Sequence, residues 1–231
     1  MTHIILCHYD KGGVGKTTLA VHLAGVLRKE QLGQILLVDC DPRPDAWSFY
    51  KGRRPKSQEV LSSIDGWLDI LWNPPELNRQ FKRIKKADLE TYDYIIIDTD
   101  SPPEDMVTMM SNNYPDTIVI PINKSQKRSL NDLPSFLDTA ADVEIRANRE
   151  PGVNYSPIFL VVPLGIEQER VISKLEEADP KPKNCQVSQE MENYQDEIDS
   201  ALEQNKYIWD CPGFESTYEY FYNLCHECLT I

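Results

Sequence analysis

The sequence predicts an α/β fold, a doubly wound and mostly parallel sheet with helices on both faces. Three observations carry this reading. Short, nearly continuous Ile/Leu/Val runs recur with helical patterns between them, as expected of parallel strands covered on both faces. A glycine-rich loop, Lys11 to Thr18, joins the first apolar run to an apolar helical stretch. The chain has 231 residues without an internal repeat or a Gly/Ser-rich linker, which suits one domain spanning 1–231.

Strands are expected at Ile4 to His8, Ile35 to Asp39, Tyr92 to Asp98, Thr117 to Ile122 and Pro157 to Pro163. Helical patterns follow Lys16 and cover Val60 to Trp72, Pro75 to Leu89, Glu104 to Asn112, Asn131 to Ala147, Glu167 to Ala178, Gln189 to Gln204 and Glu215 to Leu229. This alternation builds a sheet through right-handed crossovers. Asp179 to Lys183, rich in Pro and Lys, is the one expected flexible loop.

Hydrophobic residues at 41% and charged residues at 26% give an ordinary globular balance, which excludes a disordered or fibrous chain. No apolar run approaches the ~20 residues that span a bilayer. Met1 to Ile4 enters the first strand with no basic leader, and the six cysteines have no framework spacing. A cytoplasmic protein with reduced thiols is expected.

Lys and Arg number 24 against 37 Asp and Glu, a net charge of −13. That excess repels DNA and anionic lipid unless the cations are segregated. Two clusters achieve this in part: Lys51, Arg53, Arg54 and Lys56, then Arg79, Lys82, Arg83, Lys85 and Lys86. At helical spacing Arg79, Lys82, Arg83 and Lys86 share one face.

The loop reads Lys11-Gly12-Gly13-Val14-Gly15-Lys16-Thr17-Thr18. Its glycines let backbone N–H groups wrap a phosphate, and the following helix N-terminus favours an anion. Lys16 can reach the β- and γ-phosphates, and the Thr17 hydroxyl can ligate Mg²⁺. A nucleoside triphosphate with Mg²⁺ is the expected ligand. Further along, Asp39-Cys40-Asp41-Pro42 ends the second strand, and residues two apart on an extended segment face the same way. Both carboxylates therefore address the carboxyl edge of the sheet, where doubly wound folds bind ligands. Tyr92 to Asp98 is an apolar strand closed by an acid and resembles a Walker B strand; that resemblance implies that Asp98 holds a Mg²⁺-bound water, with Asp100 two residues on as an alternative.

Asp10 stands where the usual phosphate loop has its first glycine, and Lys11 adds a second cation. This Lys-Gly-Gly-Val-Gly-Lys-Thr box resembles the deviant Walker A motif of the ParA/MinD ATPases. The likeness runs along nearly the whole chain, with the small ParA-type partition and positioning ATPases nearest, McdA-like carboxysome positioning proteins among them. The resemblance implies that Lys11 crosses the interface of an ATP-sandwich homodimer to the partner's nucleotide, neutralising charge as an arginine finger does. It implies that Asp41 orients the attacking water and that Asp39 supports Mg²⁺. It further implies non-specific DNA binding on the nucleoid and a cargo-bound adaptor, ParB-like or McdB-like, that stimulates hydrolysis. The cargo is then a plasmid, a chromosome region or a protein assembly such as a carboxysome. Arg79, Lys82, Arg83 and Lys86 are the candidate DNA contacts, and Pro212 the candidate adenine contact in the C-terminal part. Two alternatives share the fold: a MinD-like regulator and a metabolic ATP-dependent ligase or kinase. Lys11 speaks against the latter.

Other signals lead elsewhere or nowhere. Cys225-His226-Glu227-Cys228 has C-x-x-C spacing but lacks a second pair, so core or surface cysteine is the expectation. Cys7, Cys40, Cys185 and Cys211 do not follow the Asp98 strand, which excludes an Fe–S reading. The final helical stretch is acidic and aromatic, unlike a basic membrane-surface helix, so no membrane partner is expected. With no residues before the first strand to hold a helix-turn-helix, site-specific operator binding is not expected.

Overall fold

The computed structural model describes residues 2–56, 60–74, 90–99, 108–110, 112–149, 152 and 154–229. Its strands are β1 (His3–Cys7), β2 (Ile35–Asp39), β3 (Leu61–Ser63), β4 (Leu68–Trp72), β5 (Tyr94–Asp98), β6 (Thr117–Asn123), β7 (Ile158–Leu164) and β8 (Cys185–Val187). They form one sheet in the order β3-β4-β2-β5-β1-β6-β7-β8. The β3–β4 pair is antiparallel and the other pairings are parallel. The principal helices are α1 (Lys16–Lys29), α2 (Asp45–Lys51), α3 (Lys127–Ala147), α4 (Gln168–Glu176), α5 (Gln195–Glu203) and α6 (Thr217–Leu229).

Strand side chains alternate between two buried layers, as a period of two requires. Ile4, Leu6, Ile95, Ile97, Ile118 and Ile120 face the layer of α3 and α4, through Leu133, Phe136, Leu137 and Val171. Ile5, Cys7, Leu37, Ile96, Val119 and Leu160 face the layer of α1, α2, α5 and α6, through Leu23, Trp47, Ile198 and Phe221. Burial on both faces explains why these strands read as continuous apolar runs.

Two expectations are corrected. Val60 to Trp72 is the β3–β4 hairpin and not a helix. Its apolar residues recur every three or four positions, which imitates a helical face. The turn at Asp65-Gly66-Trp67 decides the matter: Asp65 Oδ1 accepts the amides of Trp67 at 2.8 Å and Leu68 at 3.0 Å, an Asx turn that starts β4. In the Gln189 to Gln204 stretch the helix begins only at Gln195, because Met191 instead bridges Leu164 beside the sheet. The short elements α2 and β8 carry too few residues for a period to show. The helix expected at Pro75 to Leu89, most of Glu104 to Asn112, Asp100, and the cluster Arg79, Lys82, Arg83, Lys85 and Lys86 lie outside the described residues.

Candidate nucleotide site

The phosphate loop leaves β1 at the middle of the sheet, between β5 and β6. Gly13 and Gly15 adopt φ of +68° and +106°, left-handed values that suit glycine. A Cβ on Gly15 would meet Leu164 Cδ1 at 2.8 Å, so the loop is pressed against the end of β7. Gly15 also caps α1 without a side-chain hydrogen bond. The amino end of α1, which begins at Lys16, suits an anion through the helix dipole.

Gly13, Gly15, Lys16, Thr17, Thr18 and Asp41 line one cleft of about 250 Å³, together with Arg43, Asp45, Gln195 and Asp199. Lys16 is buried, and its Nζ donates to the carbonyl of Lys11 at 2.6 Å. Gly12 is exposed, whereas Val14 packs into the core. Lys11 is absent from the lining: its Nζ lies 3.0 Å from Asp10 Oδ2 and 2.9 Å from Asp132 Oδ2 on α3. Pairing with Asp132 and then Asp10 holds its ammonium above the usual lysine range.

Beside the loop, Asp39 and Asp98 end neighbouring strands in register, and both are buried. Asp39 accepts the amides of Asp41 (Oδ1, 3.0 Å) and Trp47 (Oδ2, 2.9 Å). Burial first, then the Asp98 charge, push the Asp39 carboxyl up from the usual carboxylate range, against the pull of those two amides. A divalent cation relieves that repulsion, so the donor set fits Mg²⁺ with Thr17. The β2 end is further fixed by Trp72, whose Nε1 donates to the Asp41 carbonyl at 3.1 Å. Asp41 Oδ1 in turn accepts the amide of Arg43 at 2.7 Å.

The structure thus gathers the predicted Gly13, Gly15, Lys16, Thr17, Thr18 and Asp41, with Asp39 and Asp98 buried at adjoining strand ends. Pro212 is not among the residues that line this cleft. Pro212 is exposed after the 3₁₀ turn Ile208–Asp210, whose Trp209 packs edge-on to His22 of α1 at 5.0 Å. Four lining residues escape the sequence reading. Arg43 adjoins the Asp-Pro signal and was legible in principle. Asp45 sits at the start of the unread α2, and Gln195 and Asp199 reach the cleft only through the placement of α5. Gln195 Oε1 accepts from Asn123 Nδ2 at 2.5 Å, tying α5 to the end of β6.

Residues 5–197 match the CbiA family, the CobQ/CobB/MinD/ParA nucleotide-binding domain. The chain belongs to this family. Among curated relatives, a maintenance of carboxysome distribution protein A from Gloeobacter kilaueensis is 29% identical over 164 residues, 65% of this chain and 72% of that protein. The sporulation initiation inhibitor protein Soj of Bacillus subtilis is 28% identical over 179 residues, 65% of this chain and 69% of Soj. Among solved structures, apo McdA from Cyanothece superposes with a TM-score of 0.71 at 18% identity, covering 100% of both chains. An ATP complex of a McdA variant gives 0.70 at 16% identity, over 99% of this chain and 96% of that one. Aquifex aeolicus MinD gives 0.62 at 20% identity, over 100% and 98%. At such identities the superpositions establish the fold, the mostly parallel sheet of the ParA/MinD type.

Cys225 and Cys228 are buried on the inner face of α6, and all six cysteines are free thiols. No cluster of metal-ligating side chains of that kind occurs among the described residues. No helix among them is long and apolar enough to cross a membrane.

Proposed function

We propose that the chain is a ParA-type ATPase switch: ATP binding joins two copies face to face, the pair holds DNA without regard to sequence, and a cargo-bound adaptor stimulates hydrolysis and release. The observation that carries this reading is Asp41 in one cleft with Lys16 and Thr17, its loop anchored on the buried Asp39. Loop amides and Lys16 hold the phosphates, and Asp41 orients water for in-line attack. Thr17, with Asp39 and Asp98, would hold Mg²⁺, which would supply neutralisation of charge on the phosphates. Lys11 of the second copy completes the site, and contacts made only in the paired state give ATP its leverage over the equilibrium. Arg79, Lys82, Arg83 and Lys86 are the proposed DNA contacts. The relative named for carboxysome distribution makes a large protein assembly the favoured cargo.

ATP turnover measured with Mg²⁺, with and without duplex DNA, tests the reading. Slow hydrolysis without a small-molecule acceptor, and an ATP-dependent shift to dimer in sedimentation, are expected. Turnover that requires such an acceptor would overturn it in favour of a ligase or kinase.

A further inference from the structure

The two lysines of the phosphate loop are both engaged within the single chain. Lys16 Nζ rests on the carbonyl of Lys11, and the Lys11 ammonium is shared by Asp10 and Asp132. The second acid is firmly placed. Asp132 lies between the buried Leu130 and Leu133 of α3, and the Tyr9 hydroxyl, just after β1, donates to the Ser129 carbonyl one turn earlier. Tyr9 also packs edge-to-face on Phe136 at 5.0 Å. The loop and the helix that hold Lys11 are thus one packed unit.

We infer that Asp132 is a positioning residue for Lys11: it parks the ammonium within its own chain, so that ATP-driven pairing has to draw the lysine off two carboxylates. This inference rests on the proposed role of Lys11 across the dimer. Withdrawing Lys11 is resisted from the other side as well. Asp10 Oδ1 is buried without a hydrogen-bond partner among the described residues, so loss of the cation leaves a shielded carboxylate uncompensated. The Lys11 side chain is 30% exposed and those of Asp10 and Asp132 are 15% and 41% exposed, which shields the cluster more than an open surface pair. Because the Lys11 carbonyl also holds Lys16, a phosphate that draws Lys16 away acts on the same short loop. Asp132 then sets how much ATP is needed before two copies join.

The experiment follows dimerisation by sedimentation velocity across an ATP and Mg²⁺ titration, in an Asp41→Ala background that keeps ATP intact. Asp132→Ala is expected to lower the ATP needed for half-maximal dimer by about three- to tenfold. Asp132→Glu, which keeps the charge, should stay close to the parent, and Lys11→Ala should remove the gain from Asp132→Ala. Melting temperatures of the variants check that the effect is not a loss of fold. A second measurement needs no dimer: acetylation of Lys11 in the nucleotide-free protein, followed by mass spectrometry, should run several-fold faster in Asp132→Ala. Unchanged ATP demand with unchanged Lys11 labelling overturns this inference alone. An Asp41→Ala protein that never pairs, with or without Asp132, overturns the dimer reading and this inference with it.

Discussion

His22 Nε2 accepts the amide of Ile208 at 3.1 Å, joining the phosphate-loop helix to the turn that leads into α6. Its Nδ1 donates to the Thr18 carbonyl at 2.7 Å, so the two bonds together require the neutral Nδ1–H tautomer. The ring is buried and stacks on Phe221 at a centroid separation of 4.4 Å. One side chain thus couples the first turn after the nucleotide loop to the C-terminal layer.

Burial pulls the His22 imidazole down from 6.5 to about 4, the Thr18 carbonyl opposing it only in part. A histidine depressed in the fold contributes stability above its unfolded value, and that stability is lost as pH falls from about 6.5 towards 4. Between pH 7.5 and 5 the expected loss from this group is roughly 2 kcal/mol. Urea unfolding of His22→Phe, which is less stable at pH 7.5, should lack that share of the pH slope. Parallel slopes for parent and variant would refute the assignment.

Lys16 and Asp41 should separate binding from chemistry. Lys16 faces the phosphates in the ground state, whereas Asp41 acts on the attacking water in the transition state. Calorimetry should show Lys16→Ala losing ATP affinity by at least about tenfold, the order of one charge-assisted contact. Asp41→Ala should bind ATP close to the parent and hydrolyse it far more slowly. Equal loss of affinity in both variants contradicts the assigned roles.

Gly15→Ala tests the cradle itself. Its φ of +106° is strained for any L side chain, and the added methyl meets Leu164 at 2.8 Å. Relieving only the contact, with Leu164→Ala, leaves the backbone strain, which costs of order 1–3 kcal/mol. Gly15→Ala should therefore lose ATP binding, and the double variant should recover part of it. Full recovery would show that the contact alone mattered; an unaffected Gly15→Ala would show a slack loop.

What was legible in the sequence is what local chemistry dictates. Gly13, Gly15, Lys16, Asp39, Asp41 and Asp98 were readable because each sits in a short motif whose strand or helix context follows from adjacent residues. The β3–β4 hairpin was misread because Leu61, Ile64, Leu68 and Leu71 satisfy a helical spacing while one aspartate sets the turn. Asp132, Gln195 and Asp199 reach the loop through α3 and α5, across packing that no local pattern encodes. Pro212 was placed by analogy alone, and the packing of Trp209 against His22 carries its turn along α1.

The DNA prediction sets composition against resemblance. A dimer at −13 per chain is repelled by DNA at long range, so binding must come from local cations. Arg79, Lys82, Arg83 and Lys86 offer four such charges at helical spacing, and pairing two copies doubles them. The Lys51 to Lys56 segment, where Arg53, Arg54 and Lys56 are exposed, is one rival, and the scattered Arg170, Lys174, Lys181 and Lys183 are another. The ATP-bound protein should retain duplex DNA of any sequence at low salt, and Lys82→Glu with Arg83→Glu should abolish retention while leaving ATP affinity intact. Each phosphate contact removed should flatten the log–log salt slope by roughly 0.9. If retention persists in that double variant and falls in Arg53→Glu with Arg54→Glu, the DNA surface is the Lys51 to Lys56 segment. If the ATP-bound parent retains no DNA at low salt, the nucleoid reading fails, since a phosphate-neutralising surface binds most strongly where counterions are scarce.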